Sequence, residues 1–321
     1  MIKEPASGCT HCHLCRDNCA FLSKYGIDIG DVEKLKALSY HCFLCGKCTE
    51  VCPEGIDGRQ LILDMRRETV AGGKQQAVEK EFKGLVREKK NYIYRNWKNV
   101  TPGAVFFPGC NFPSMYPKTT AEIVRLFRER GIGTVYECCG KPVAELGLKD
   151  DEDRIIEEIR RRLADNNVTE IITGCPNCRA FFGDRLGIKV TGIFSKFAEL
   201  GIGNIVEGDQ SFYIPCPDRT DRKWIDEIRP FINGNIDFVE EIQCCGLGGS
   251  AAKAEPDIAD SFAVKLKEQQ SQVVTYCASC VGRFRRSGFG SIDHSITIVT
   301  GTNEEPDTKK SYINRVLTRF R

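Results

Sequence analysis

The chain lacks a charge surplus: in 321 residues, 46 lysines and arginines stand against 44 aspartates and glutamates. A balance this close gives no electrostatic case for DNA, RNA or an anionic bilayer as partner. It also lacks an apolar run long enough to span a membrane and a secretory leader at its N-terminus. The expected location is therefore cytoplasmic, with any membrane association peripheral and made through a partner. No GxGxxG follows a strand with an acidic residue downstream, so the dinucleotide fingerprint is missing and the chain is not expected to take hydride itself.

What the chain has is cysteine, 18 residues of it. An extracellular disulfide scaffold would be short and poor in core residues, whereas this chain has length and is 41% hydrophobic. Metal ligation suits the thiols better. Thirteen prolines and 30 glycines punctuate the chain, several of them beside the cysteines.

Two stretches with adjacent cysteines organise the second part, Tyr136-Glu137-Cys138-Cys139-Gly140 and Gln243-Cys244-Cys245-Gly246. A lone cysteine precedes each pair, Cys110 and Cys216, and a C-x2-C follows each, Cys175/Cys178 and Cys277/Cys280. The patterns are C-x27-C-C-G-x34-C-x2-C and C-x27-C-C-G-x30-C-x2-C. Matched spacing over such a length marks an internal repeat.

Cys9, Cys12, Cys15 and Cys19 run as C-x2-C-x2-C-x3-C, and Cys42, Cys45, Cys48 and Cys52 repeat the spacing before Pro53. This is the bacterial ferredoxin run, in which three closely spaced thiols wrap one cubane and the fourth reaches the other. On that rule Cys9, Cys12, Cys15 and Cys52 hold one 4Fe-4S cluster, and Cys19, Cys42, Cys45 and Cys48 the other. Zinc is the alternative for paired C-x2-C units. Ala20 stands where proline is usual after the first run. His11, His13 and His41 lie inside the runs and read as tuning or surface residues, since the thiols already complete the ligand count. Between the runs, Ile27, Ile29, Val32, Leu35 and Leu38 suit a short helix. Residues 1–8 read as a flexible lead.

From Thr101 short apolar runs alternate with amphipathic ones, the signature of parallel strands layered with helices. Strands are expected at 104–107, 134–136, 170–173, 212–214, 238–240 and 273–276, with helices at 119–130, 151–165, 221–228 and 256–270. Ile296, Ile298 and Val299 suggest a last strand and 312–320 a terminal helix. Every cysteine group follows an apolar strand. The thiols therefore belong at the carboxyl ends of strands, where parallel α/β sheets bind ligands. The expected fold is an α-helical two-cluster ferredoxin domain followed by a pseudo-duplicated α/β domain with parallel strands. Its parts are the ferredoxin domain over 1–70, a linking or docking helix over 71–100, a first lobe over 101–205 and a second lobe over 206–321. The basic, aromatic stretch 83–98 reads as a connector and not as a nucleic-acid platform.

These motifs resemble two modules of the heterodisulfide reductase family. The N-terminal runs, with their long helical spacer, resemble the family's helical ferredoxin subunit and the iron-sulfur subunits of succinate dehydrogenases. The two five-cysteine units resemble the CCG domains of the family's catalytic subunit, and their fusion with a ferredoxin module resembles the form in which both are joined in one chain. The resemblance implies a non-cubane 4Fe-4S cluster on Cys110, Cys138, Cys139, Cys175 and Cys178, and a second on Cys216, Cys244, Cys245, Cys277 and Cys280. Zinc at one of these sites is the minor alternative. It implies an iron-sulfur oxidoreductase subunit that passes electrons from two cubane clusters to these two and cleaves a small disulfide, such as the coenzyme M–coenzyme B heterodisulfide of methanogenesis. The implied donor is a flavoprotein, a hydrogenase or formate dehydrogenase module, or a membrane cytochrome. Lys141, Arg179 and Arg283, close to ligand cysteines, are the candidates for anchoring an anionic disulfide. The competing function is an electron relay in a flavin-dependent oxidase for glycolate, lactate or glycerol phosphate, where CCG domains also occur. Completeness of both five-cysteine sets favours disulfide chemistry.

Overall fold

In the computed structural model, which describes residues 6–321, the chain begins with short helices at Leu14–Asp17, Ala20–Tyr25, Val32–Ala37 and Lys47–Glu50 and a longer one at Gly58–Thr69. The flexible lead expected over residues 1–8 lies, for residues 1–5, outside the described residues. Helix Gly58–Thr69 starts where the Asp57 side chain accepts a hydrogen bond from the Gln60 N–H. It buries Leu61, Ile62, Met65 and Arg66 along one face.

Residues 71–100, expected as one linking helix, form two short helices, Gln75–Glu81 and Lys83–Lys89, and then a strand, β1 (Asn96–Asn99). Gly73, at φ +93°, breaks the path into the first of these helices. The first lobe continues with β2 (Gly103–Phe107), β3 (Gly133–Tyr136), β4 (Val168–Thr173) and β5 (Lys189–Gly192). Their order is β1-β3-β2-β4-β5, parallel except for the β1–β3 pair. The second lobe carries β6 (Val206–Glu207), β7 (Gln210–Phe212), β8 (Ile232–Asn233), β9 (Ile236–Phe238), β10 (Val273–Thr275) and β11 (Ile292–His294). There β6 and β8 form a two-stranded sheet, and the main sheet runs β11-β10-β7-β9, all parallel.

The order β3-β2-β4-β5 in one lobe matches β9-β7-β10-β11 in the other, strand for strand. Their central strands are apolar on both faces because helices cover both. In β2, Phe106 packs on Phe127 of helix Pro117–Arg128 at 5.3 Å, while Val105 and Phe107 face the opposite layer with Ile155 and Ile159 of helix Lys149–Asp165. Each fully buried phenylalanine contributes about 1.5–3 kcal/mol. An N-terminal helical region followed by two α/β lobes with parallel strands is therefore the architecture.

One expected strand is corrected. Ile296–Val299 lies in a helix, Ser295–Val299, and the strand is Ile292–His294 just before it. His294 Nδ1 accepts from the Ile296 N–H and caps that helix, and Ile296 and Val299 are both buried, three residues apart on one helical face.

Arg66 joins the three parts. Its guanidinium is fully buried and donates to the carbonyls of Ser39 and Cys42 in the N-terminal region, Glu145 in the first lobe and Gly249 in the second.

Candidate metal centres

The eight N-terminal thiols sort into two cavities. One is lined by Cys9, Cys12, Cys15 and Cys52 together with Asp28 and Pro53. The other is lined by Cys19, Cys42, Cys45 and Cys48, with Phe43 and Gln243. Sharp local backbone makes this possible: His11, His13 and Leu44 sit in the left-handed region at φ 52°, 64° and 50°. Such strain persists only where the surroundings enforce it. Glycines complete the walls, since a Cβ on Gly30 would lie 2.7 Å from Cys9 Sγ and one on Gly58 2.6 Å from Cys48 Sγ.

The histidines are ordered by buried carboxylates. Nδ1 of His11 and of His13 lie 3.0 and 2.8 Å from Asp28 Oδ2, and His41 Nδ1 lies 2.6 Å from Glu255. Burial works against charge on Asp28, but hydrogen bonds from the Gly30 N–H and the two imidazoles outweigh it and hold its carboxyl below the usual range. Cys9, His11 and Asp28 bring ligand atoms within 4.8 Å of one another, so this corner could also hold a metal ion.

In each lobe the cysteines follow equivalent strands. Cys110, Cys138/Cys139 and Cys175 follow β2, β3 and β4, while Cys216, Cys244/Cys245 and Cys277 follow β7, β9 and β10. The glycine after each pair has a structural cause. Gly140 and Gly246 take φ +93° and +85°, and a Cβ there would lie 2.9 Å from Ile155 Cγ2 and from the Ala259 carbonyl. Only glycine turns the chain left-handed this close to a helix.

The thiols of each set touch in chains. Cys110 meets Cys138, Cys138 meets Cys139, and Cys139 meets Cys178, which meets Cys175. In the second set Cys244 meets Cys245, which meets Cys280, which meets Cys277. Cys216 faces Cys277. The second cysteine of each pair is the favoured thiolate. Hydrogen bonds from Cys138 and Cys178 pull Cys139 down to about 5, and those from Cys244 and Cys280 do the same to Cys245. None of the 18 cysteines is in a disulfide.

The two sets face each other. Asn111 Nδ2, beside Cys110, donates to Ser279 Oγ at 2.6 Å, and Asn177 Nδ2, between Cys175 and Cys178, reaches Cys277 Sγ at 3.5 Å. Below them Cys244 of the second pair meets Cys45 of the N-terminal cavity.

The cations singled out by sequence position are all ion-paired. Lys141 binds Glu145 and faces Cys216. Arg179 binds Glu227 at 2.6 Å and lies over the Trp224 ring, and Arg283 binds Asp260 at 2.6 Å. Other cations, which sequence position does not single out, also stand beside thiols. Lys89 Nζ is buried near Cys110 and Cys138 and ion-paired with Glu88 Oε1 at 2.7 Å. Arg315 bonds Asn111 Oδ1 at 2.7 Å and also faces Cys110. Arg219 faces Cys45 and Cys216. Lys89 belongs to the basic stretch read as a connector and Arg315 to a terminal helix without recognisable chemistry, so only three-dimensional proximity reveals them.

These cations test the fit of a metal cluster. Arg66 is fully buried, and the charges that bear on it are those of Cys42 and Glu145. A buried charge needs compensation, and with neutral thiols Arg66 would have only its carbonyl acceptors and the Glu145 charge. Thiolates bound to iron or zinc would add negative charge beside it, and the sulfur-only donor sets suit both metals.

The model of the CCG cysteine-rich domain matches residues 104–183 and 220–285, which hold nine of the ten lobe thiols and begin the second match just past Cys216. One subunit of a fumarate reductase (CoM/CoB) from Methanothermobacter marburgensis is 26% identical over 85% of this chain and 66% of its own length. An uncharacterised iron-sulfur protein of Methanococcus maripaludis is 24% identical over 77% of this chain and 57% of its own. The chain thus spans about three fifths of the length of these curated relatives. A glutamate racemase from Bacillus anthracis superposes on 63% of this chain and 79% of its own at 10% identity with a TM-score of 0.32, a likeness too low to support a common fold.

Proposed function

The chain carries two CCG lobes and is distantly related to iron-sulfur proteins of methanogens; from that premise we propose that it is an iron-sulfur subunit that reduces a small disulfide to two thiols. One observation carries this reading. Two complete five-thiol sets face each other across one lobe junction, and one of them touches the N-terminal thiols. A relay needs only one conduit, whereas a disulfide has two sulfurs to separate.

In this reading Cys9, Cys12, Cys15 and Cys52, and Cys19, Cys42, Cys45 and Cys48, hold two cubane clusters. Cys110, Cys138, Cys139, Cys175 and Cys178 hold a third group, and Cys216, Cys244, Cys245, Cys277 and Cys280 a fourth. Bound iron-sulfur clusters supply one-electron transfer. The reaction balances as R–S–S–R′ + 2e⁻ + 2H⁺ → RSH + R′SH. The chain's own groups orient the site: Asn111 and Asn177 fix the spacing of the lobes, and Lys89, Arg315, Arg219 and Lys141 place positive charge where sulfur departs as thiolate. Arg179 and Arg283, already paired, keep a share in this field. Electrons come from a partner, a flavoprotein, a hydrogenase or formate dehydrogenase module, or a membrane cytochrome. Among the described residues no helix is long and apolar enough to cross a membrane.

The name of one relative, a CoM/CoB fumarate reductase subunit, supports a second reading in which the same site runs in reverse. Two thiols are then oxidised to a disulfide, and the two electrons leave toward a partner that reduces an acceptor.

The test is anaerobic assay of the reconstituted chain with reduced viologen and the coenzyme M–coenzyme B disulfide. Two thiols released per two viologens oxidised support the proposal. Viologen oxidation only when a flavoprotein partner is added, with no thiol released, would identify a relay and overturn it.

A further inference from the structure

The residue before each cysteine pair occupies the same place in the repeat but meets different neighbours. In the first lobe it is Glu137, buried, within reach of the Trp97 indole and the Arg95 guanidinium and accepting from its own Cys138 N–H. In the second lobe it is Gln243, whose side chain leaves its lobe and lines the N-terminal cavity of Cys19, Cys42, Cys45 and Cys48. Its Nε2 donates to Cys19 Sγ at 3.3 Å and to Cys45 Sγ at 3.5 Å. Its Oε1 accepts from the Ala20 N–H at 2.9 Å, and its carbonyl accepts from Arg219. Both amide ends are therefore fixed, and the orientation that aims the donors at sulfur is set by the Ala20 bond.

We propose that Gln243 is a positioning residue that sets the reduction potential of the centre held by Cys19, Cys42, Cys45 and Cys48 and joins it to the second lobe through Cys244. This inference rests on the iron-sulfur reading of those four thiols. Hydrogen bonds to ligand sulfurs withdraw electron density and favour the reduced centre. Gln243 supplies two of them from a neighbouring domain, and its successor in the chain, Cys244, touches Cys45. Among the described residues none of the first lobe bonds an N-terminal thiol in this way, so the side-chain bonds to N-terminal sulfur come from the second lobe.

The test compares wild type, Gln243→Leu and Gln243→Glu after anaerobic reconstitution of the full chain, by potentiometric titration followed with electron paramagnetic resonance. Both variants remove the donors, and the second preserves shape. We expect the stability of the reduced form of one ferredoxin-type centre to fall on the order of ten-fold, equivalent to ~59 mV for a one-electron couple, while the other ferredoxin-type centre stays in place. Glu137→Gln should move neither. Should Gln243→Leu lose the centre altogether, Gln243→Glu still reads the potential. Iron at wild-type levels with unmoved potentials in Gln243→Glu would overturn the role of Gln243 alone. Absence of iron from the N-terminal cavities of wild type would overturn the reading beneath it as well.

Discussion

At the scale of single residues, each glycine after a cysteine pair is explained by a helix pressed against it, and that makes it testable. Gly140→Ala and Gly246→Ala force a Cβ into the left-handed region and within 2.9 Å of a neighbour. Each should destabilise the chain by roughly 1–3 kcal/mol, read as a lower urea midpoint. Gly72→Ala, which meets open space, should leave the midpoint unchanged or raise it. His294 gives a pH prediction with a definite sign. Burial between Phe112 and Tyr116 pushes it down to about 3. An unfolded histidine takes a proton below about pH 6.5 and the native one refuses it. The stability it contributes is thus complete at pH 7 and is lost as pH falls from 6.5 toward 3. By pH 5 the loss amounts to about 2 kcal/mol, so the wild-type urea midpoint should fall further between pH 7 and pH 5 than that of His294→Asn.

At the scale of elements, helix Gly58–Thr69 holds the N-terminal region to both lobes through Arg66. Arg66→Met leaves the carbonyls of Ser39, Cys42, Glu145 and Gly249 without this donor. Stranded buried acceptors cost about 1–3 kcal/mol each, so urea unfolding should show a loss above ~3 kcal/mol. Limited proteolysis should open the chain near Gly72 and Gly73. The elements also show how much of the fold is legible in the residues alone. Helices Pro117–Arg128 and Lys149–Asp165 and strand Gly103–Phe107 can be read from periodicity because each has an apolar face or run of its own. Strand β5, Lys-Val-Thr-Gly, is short and half polar and gives no such signal. Its counterpart β11 is masked by the apolar residues of the helix behind it. Aligning the two repeats exposes both, since each C-x2-C helix is followed by a short strand and then a helix. The grouping of thiols by strand end is legible, because spacing and apolar runs are local. The buried cations are not, because Lys89, Arg219 and Arg315 meet the thiols only through contacts distant in the chain.

At the scale of the whole molecule, a helical thiol-rich region is held to both lobes of a duplicated α/β pair, and its thiols meet those of the second lobe. That arrangement gives a path with two ends, one at the N-terminal cavities and one at the junction where both five-thiol sets meet. The exposed end is at Cys12, the one exposed cysteine of the 18, which is where a partner's electrons would enter. The decisive measurement is iron and acid-labile sulfide analysis of anaerobically reconstituted protein, with electron paramagnetic resonance recorded while a thiol is titrated in under oxidising conditions. About sixteen irons per chain, four for each of four groups, and a paramagnetic signal that arises only with thiol are the predicted result. About eight irons with zinc in the lobes, or a spectrum indifferent to thiol, would contradict it.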